Sequence, residues 1–296
     1  MSGGPEQGSM QDSSRLEVVE MNKPMASRGI SALILLAFAG QALADITPPP
    51  FLATNGSRAF TFSATEAPKE FQLAASNEDA PGAYPAISTD FTGRVLVHGI
   101  NSSGGGTFYQ LRGNPSNLWL DPIASTQSAY HSFTYVGERM FGVKNFQGSL
   151  DEIVELNPYT FAEVGSFGIF DLGIGGLAYV PNLNEFVVSD TRTNSFYGIA
   201  YDGGGDRGSV RLIGHAGMRW GANGLEYHDG VVYGTAIRGE DMQLVFGSVD
   251  LDTGHFTVER VLGEAERGAV GFGFVPAPGS VALLGLGGML AARRRR

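Results

Sequence analysis

From about residue 50 to residue 275 the chain repeats one short rhythm: runs of alternating apolar and small or polar residues, each closed by Gly, Asn, Asp or Pro. Alternation with a period of two puts successive side chains on opposite faces of a pleated strand, and the closing residues supply the backbone that hairpin turns need. A signature recurs along these strands. Gly176-Leu177-Ala178-Tyr179, Gly224-Leu225-Glu226-Tyr227 and Gly271-Phe272-Gly273-Phe274 are spaced by 48 and 47 residues. Ser132-Phe133-Thr134-Tyr135 lies 44 residues earlier, and Pro85-Ala86-Ile87-Ser88 a further 47. Each copy is followed by a turn and a second strand: FTG then RVLVHG at 91–99, VGER then MFGVKN at 136–145, PNLN then EFVVSD at 181–190, HDG then VVYGTA at 228–236. Third and fourth strands follow, as in SFYGIAY, DGGGDRG, SVRLIG and in LVFGSVD, LDTG, HFTVERVLG.

Four short strands in 44–48 residues make the blade of a β-propeller, and because one blade cannot bury both its faces, blades stack into a ring. Full units begin near residues 84, 130, 174 and 222. The orphan strand at 268–275 then needs partners, which 58–63 and 70–75 supply, so the expectation is an all-β ring of five blades whose closing blade is composite, built from both ends of the domain. A β-sandwich is the rival fold. Apolar positions such as Val231 and Tyr233 are expected on one half-buried face.

Composition narrows the chemistry. The 296 residues include 43 Gly and no Cys, which removes disulfides, thiol nucleophiles and thiolate metal sites. Hydrophobic residues at 43% and charged ones at 17% fit a packed core. Residues 45–275 carry 13 basic against 26 acidic side chains, a net of −13 that repels phosphate backbones and excludes a nucleic-acid partner.

The two ends set the compartment. Residues 1–20 are polar, with no core-forming pattern, and read as a disordered extension or a mis-assigned start. Met21–Ala44 then has the order of a secretory signal peptide: cationic Lys23 and Arg28, an apolar run over Ile30–Ala39, and an Ala42-Leu43-Ala44 cleavage site. Sec machinery and signal peptidase are the partners this implies. At the other end, Pro276 and Pro278 stop the folded body at 275, and the apolar helix expected over Val281–Ala292 precedes Arg293, Arg294, Arg295 and Arg296. A short apolar segment closed by arginines halts in the bilayer with its basic end in the cytoplasm. At about 12 residues it is shorter than the roughly 20 a stable span needs, as suits a temporary anchor.

Pro276-Ala277-Pro278-Gly279, the Gly/Leu run and the Arg tail together resemble the PEP-CTERM sorting signal of Gram-negative bacteria, with Ala277 where that motif has Glu. The resemblance implies an exosortase as partner, removal of the tail, and delivery to the cell surface or into the extracellular polysaccharide of a biofilm. The repeats themselves are similar to those of secreted bacterial propellers with an NP-x-TG turn rhythm, through Asn157-Pro158-Tyr159-Thr160 and Asp250-Leu251-Asp252-Thr253-Gly254.

Chemical motifs in the body are sparse. Asp250 and Asp252, and Asp202 and Asp206, read as turns rather than calcium loops, since the later oxygen ligands are missing. His98, His131, His215, His228 and His255 are scattered without metal-ligand spacing, no G-x-S-x-G elbow exists, and no metal or cofactor is expected. Trp119, Trp220, Tyr109 and Tyr130 are candidates either for sugar stacking or for the core. The candidate ligand site is the mouth of the central channel, where Asp190, Arg192, Asn223 and Glu226 are placed by register, either meeting a ligand or satisfying turn backbone. Two functions follow: a non-catalytic binding or structural module of the cell surface, or a secreted propeller enzyme of the glycoside hydrolase or lactonase type with carboxylates in the funnel.

Overall fold

The computed structural model describes residues 51–63, 67–75, 83–114, 117–145, 147, 149–204, 207–266 and 270–275. The extension at 1–20, the signal segment with Ala42 and Ala44, Asp206, and the sorting tail with Pro276, Ala277, Pro278, Gly279 and Arg293–Arg296 lie outside these residues.

The first strands are β1 (Phe51–Asn55), β2 (Arg58–Phe62), β3 (Lys69–Gln72) and β4 (Ala74–Ala75). Blade 1 comprises β5 (Ala83–Thr89), β6 (Val95–Ile100), β7 (Gly106–Asn114) and β8 (Asn117–Thr126). Blade 2 comprises β9 (Ser132–Val136), β10 (Arg139–Asn145), β11 (Asp151–Leu156) and β12 (Glu163–Phe170). Blade 3 comprises β13 (Ile174–Val180), β14 (Glu185–Asp190), β15 (Ser195–Ala200) and β16 (Val210–His215). Blade 4 comprises β17 (Trp220–His228), β18 (Val231–Arg238), β19 (Gln243–Val249) and β20 (Phe256–Glu264). The last strand, β21 (Val270–Phe274), pairs antiparallel with β1 and completes the closing blade in the order β21-β1-β2-β3.

The inner strands β5, β9, β13, β17 and β21 each touch the next around a circle that returns to β5. The apolar core divides in the same way, into five clusters, one between each pair of neighbouring blades. This is a closed five-bladed propeller, as the 44–48-residue period implies; a sandwich would have one shared core between two sheets.

Three details differ from the sequence reading. The segment Phe51–Asn55 is a strand, and it separates β21 from β2; its Asn55-Gly56-Ser57 turn, with Gly56 at φ +62°, is a hairpin signal. The stretch at 70–75 does not stay in one blade: Lys69–Gln72 edges the closing blade, while Ala74–Ala75 pairs in parallel with β8 and straps that blade to blade 1. Val231 and Tyr233 lie half-buried as expected, but the positions between and beyond them, Val232 and Gly234–Ile237, are buried as well. A second strand sits between two neighbouring blades, so both of its faces are covered and alternation fades there.

The recurring signature has a steric origin. A Cβ on Gly176 would lie 2.7 Å from the Leu225 side chain, and one on Gly224 2.7 Å from the backbone nitrogen of Phe272. A Cβ on Gly271 would meet Tyr84 O at 2.9 Å and Ile87 at 3.1 Å. Each bare position thus takes the large side chain or backbone of the next blade. The pairings Gly176↔Ser189, Gly224↔Thr235 and Gly271↔Thr54 place Ser132 and Ala86 at the same site through Ser132↔Val143 and Ala86↔His98. The first copy therefore starts at Ala86, one residue later than Pro85.

Candidate functional site

Antiparallel pairing sets the start of each inner strand beside the end of each second strand, as in Ile174↔Asp190, Trp220↔Arg238 and Val270↔Asn55. All five blades therefore deliver strand ends to one mouth of the channel, and a cavity of about 520 Å³ opens there. Its wall is split. Blades 2 and 3 contribute His131, Asn145, Asp151 and Arg192, while the other blades contribute Pro85, Ile100, Trp220 and Val270.

Asp190 ends β14 and is 1% exposed. Its Oδ1 accepts from Gly173 N and Arg192 N at 3.0 Å each, and its Oδ2 from Thr193 Oγ1 at 2.7 Å. The carboxylate is spent on holding the turn that presents Arg192, whose guanidinium reaches Asp171 at 3.0 Å and Asp190 at 3.6 Å. Replacing Asp190 by Ala should leave two backbone N–H groups without their acceptor and cost on the order of 2–3 kcal/mol, read by urea denaturation. A loss within a few tenths of that of an exposed-site control would show that the turn does not depend on it.

Asp151 starts β11, 5% exposed, and its Oδ2 accepts from Ile174 N of the next blade at 2.6 Å. Burial pushes this carboxyl up to about 6, opposed by the Ile174 N–H and Arg192 and helped by Asp190. His131 Nε2 stands 3.9 Å from the same oxygen, and burial pulls the imidazole down to about 4. At neutral pH the contact joins an ionised carboxylate to a neutral ring, so it is not an ion pair. The polar wall thus offers a neutral imidazole, a carboxylate, an amide and a guanidinium. Among the described residues no group of three or more His, Asp or Glu converges as metal ligands would.

The four residues expected at the mouth separate. Asp190 and Arg192 are together there, Asp190 as scaffold. Asn223 lies on β17 opposite Ala236, beyond Trp220 and Gly221 at the cavity. Glu226 sits deeper, two residues from the far end of β17, and does not line the cavity; a strand advances about 3.3 Å per residue, which carries it away from the mouth. Asp151 was not foreseen. Its only mark in the sequence is its position at the start of a third strand directly across from Asn145.

The other candidates are accounted for by packing and turns. Trp220, Tyr109 and Tyr130 are 6%, 0% and 2% exposed, with Trp220 set edge-on to Phe196 at 4.8 Å. Trp119 is 43% exposed on the outer strand β8, away from the channel. Asp250 Oδ1 accepts from Asp252 N at 2.8 Å and Gly254 takes φ +74°, a hairpin turn. Asn157 does the same for Tyr159 and Thr160, but Phe161 occupies the left-handed position at φ +60°. That residue is buried and stacks on Phe108 at 4.6 Å, which offsets backbone strain of about 1–2 kcal/mol. Asp202 accepts from Gly204 N within its own turn.

No protein-family model matches the chain, and no curated protein sequence matches it. Among solved structures it is similar to a chain of a nidogen/laminin complex, at 7% identity and TM-score 0.48, over 77% of this chain and 98% of the other. It is similar to an exo-β-1,3-galactanase from Phanerochaete chrysosporium, at 10% identity and TM-score 0.48, over 69% of this chain and 56% of that one. A protein from Bacteroides uniformis, provisionally described as a 6-phosphogluconolactonase, aligns at 12% identity and TM-score 0.41, over 75% and 69% of the two chains. At these scores the likenesses bear on neither ligand nor activity.

Proposed function

We propose that the chain is exported, sorted through its C-terminal segment to the cell surface or extracellular matrix, and works there as a non-catalytic module that binds a neutral, hydroxyl-rich ligand such as a sugar unit of extracellular polysaccharide. The split wall of the channel mouth supports this reading most directly: an apolar arc of Pro85, Ile100, Trp220 and Val270 faces a hydrogen-bonding arc of His131, Asn145, Asp151 and Arg192. A pyranose has the same two sides, a C–H face and a hydroxyl rim, and 520 Å³ admits one or two rings. Charge disfavours an anionic ligand, because Asp171, Asp190 and Asp151 outnumber Arg192.

The test is binding of a panel of neutral monosaccharides and extracted surface polysaccharide, followed by calorimetry and Trp fluorescence, with Asn145→Ala and His131→Ala compared. Binding weakened about tenfold or more by either variant is expected; no binding by any member, or binding indifferent to both variants, would discard the reading. Asp151, lifted toward neutrality beside His131, supports the enzymatic alternative, a propeller hydrolase or lactonase. Turnover of glycoside or lactone probes that Asp151→Asn abolishes would replace the first reading with this one. Export and sorting are tested separately by intact mass of protein recovered from envelope and culture fluid: residues through Ala44 and the tail after about Pro278 should be gone. Both ends retained on a cytoplasmic protein would overturn the localisation.

A further inference from the structure

Both ends of the described domain leave from one end of the ring, and it is the end away from the cavity. β21 starts at the mouth with Val270, which lines the cavity, and finishes at Phe274, paired with Phe51 at the start of β1. In the other four blades a turn joins the inner strand to the second at this place; in the closing blade the two chain ends stand there instead. At about 3.3 Å per residue the exits lie some 13 Å from the mouth.

The same end carries most of the apolar surface that the turns expose. Among the described residues four large apolar side chains are exposed in turns: Phe91, Tyr159 and Leu183 at the exit end, and Met242 at the mouth. The first three come from blades 1, 2 and 3, so one sector of the ring holds them. Tyr159 is 65% exposed, and Phe91 lies between it and Tyr135, with ring centres 6.0 and 6.3 Å away. The turns of this sector, at 90–94, 137–138, 157–162 and 181–184, contain three charged residues. Two of these, Asp90 and Arg94, pair at 2.6 Å, which leaves Glu138. On a body of net −13 over residues 45–275 the sector is therefore nearly neutral. An acidic surface is repelled by anionic lipid, whereas aromatic and leucine side chains on a neutral one settle at the headgroup level.

We propose that this sector is a foot by which the domain rests on a lipid surface while its C-terminal segment is still anchored, leaving the channel mouth turned away from the membrane. The proposal rests on the export-and-sorting reading above, in which the apolar run at 281–292 halts in the bilayer. Five residues, 276–280, separate that run from Val275, and so short a linker spans at most about 20 Å. Inverting the domain would take the linker out past the three other strands of the closing blade, each about 4.8 Å from the next, and back along their length. That path exceeds its reach. The exit end therefore faces the bilayer, and Phe91, Tyr159 and Leu183 meet the headgroups. The split wall of the mouth opens on the far side, free to take up polymer before the tail is released.

The chain has no Cys, so a single one can be introduced and labelled with an environment-sensitive dye: Thr160→Cys or Asn182→Cys at the exit end, and Ser102→Cys at the mouth. The chain from Asp45 to Arg296, tail included, is reconstituted with vesicles of phosphatidylethanolamine and phosphatidylglycerol that contain a nitroxide lipid, and flotation is measured beside quenching. It should float, and labels at 160 and 182 should be quenched about threefold or more relative to the label at 102. Phe91→Ser, Tyr159→Ser and Leu183→Ser combined should float as before and lose most of that quenching. All three side chains are exposed, so its urea midpoint should stay near that of the wild type, and the comparison of 160 with 102 stands without it. A chain that does not float removes the anchor, and the foot with it. A chain that floats with equal quenching at both ends, or with the mouth label quenched instead, overturns the foot and leaves the anchor standing. So does quenching that the triple variant retains. Labels at 160 and 182 that respond to protein concentration rather than to lipid would assign this end to contact with a second copy of the chain, again against the proposal.

Discussion

Valine at position 224 is expected to prevent the ring from closing. Gly224 lies on β17 where the next inner strand, β21, comes closest, and a Cβ there would stand 2.7 Å from Phe272 N and 3.1 Å from Gly271 C. Both neighbours are backbone, so no rotamer change relieves the clash. The strand that must retreat is the one contributed by the far end of the chain, whose attachment to β1 completes the fold. Overpacking a close contact costs about 1–3 kcal/mol, and a branched side chain against backbone should exceed that range. The measurement is urea unfolding of Gly224→Ala and Gly224→Val beside Gly165→Ala. Gly165 stands on the edge strand β12 with nothing within 4 Å of its would-be Cβ, so its replacement should be neutral or mildly stabilising. Equal behaviour of positions 165 and 224 would show that the bare face of β17 is not needed for closure.

The second large effect is expected at His98. Its ring is fully buried on β6, with Nδ1 2.9 Å from Tyr130 O, Nε2 3.2 Å from Thr126 Oγ1, and ring centres 4.6 Å from Phe108 and 5.3 Å from Tyr130. A neutral ring donating from Nδ1 ties blade 1 to the segment that leads into blade 2. Gly106 makes room for it, since a Cβ there would lie 2.3 Å from the imidazole. His98→Ala removes a packed ring and leaves the Tyr130 carbonyl short of a donor, a combined loss of about 3–5 kcal/mol. His98→Thr supplies the hydroxyl type that Thr54, Ser189 and Thr235 present at the equivalent positions, yet it cannot reach the next blade and should recover little of that loss. A cost below about 1 kcal/mol for His98→Ala would mean that the ring fills space without joining the blades.

These two sites differ in how far they can be read from the chain. The glycines at 176, 224 and 271 announce themselves by period, because the same close approach recurs at every blade interface and admits nothing larger. His98 belongs to the same repeat, one strand further out, but it replaces a small hydroxyl by a ring that finds its partners on the outer strands of its own blade and on the segment leading into the next. Within the sequence it is one of five scattered histidines. The closing blade shows a similar division. The orphan strand at its C-terminal end and the unpaired segments after residue 58 demand one another, whereas Phe51–Asn55 is short and follows three prolines, so its place between β21 and β2 emerges only from the pairing.

The mouth of the channel is less legible still. Asp190 ends β14 and Arg192 follows in the turn that lines the cavity, yet whether a carboxylate at a strand end meets a ligand or holds its own turn depends on where the neighbouring N–H groups point. Two N–H groups and one hydroxyl turn out to donate to the Asp190 carboxylate. Asp151 and His131 meet because blade 2 faces blade 3 through Ile174 N, a contact between residues 23 apart that no spacing rule encodes.

What the sequence determined by itself was the unit and its number: alternation with a period of two, turns of Gly, Asn and Asp, and a repeat of 44–48 residues that leaves one blade to be shared by the two ends. Those are local or periodic constraints, imposed on every blade alike, and so they are written many times over. Only the tertiary structure decided which polar groups converge, because convergence in a ring is a matter of angle and depth about an axis. Asp151 of blade 2 and Arg192 of blade 3 come to line one cavity for that reason.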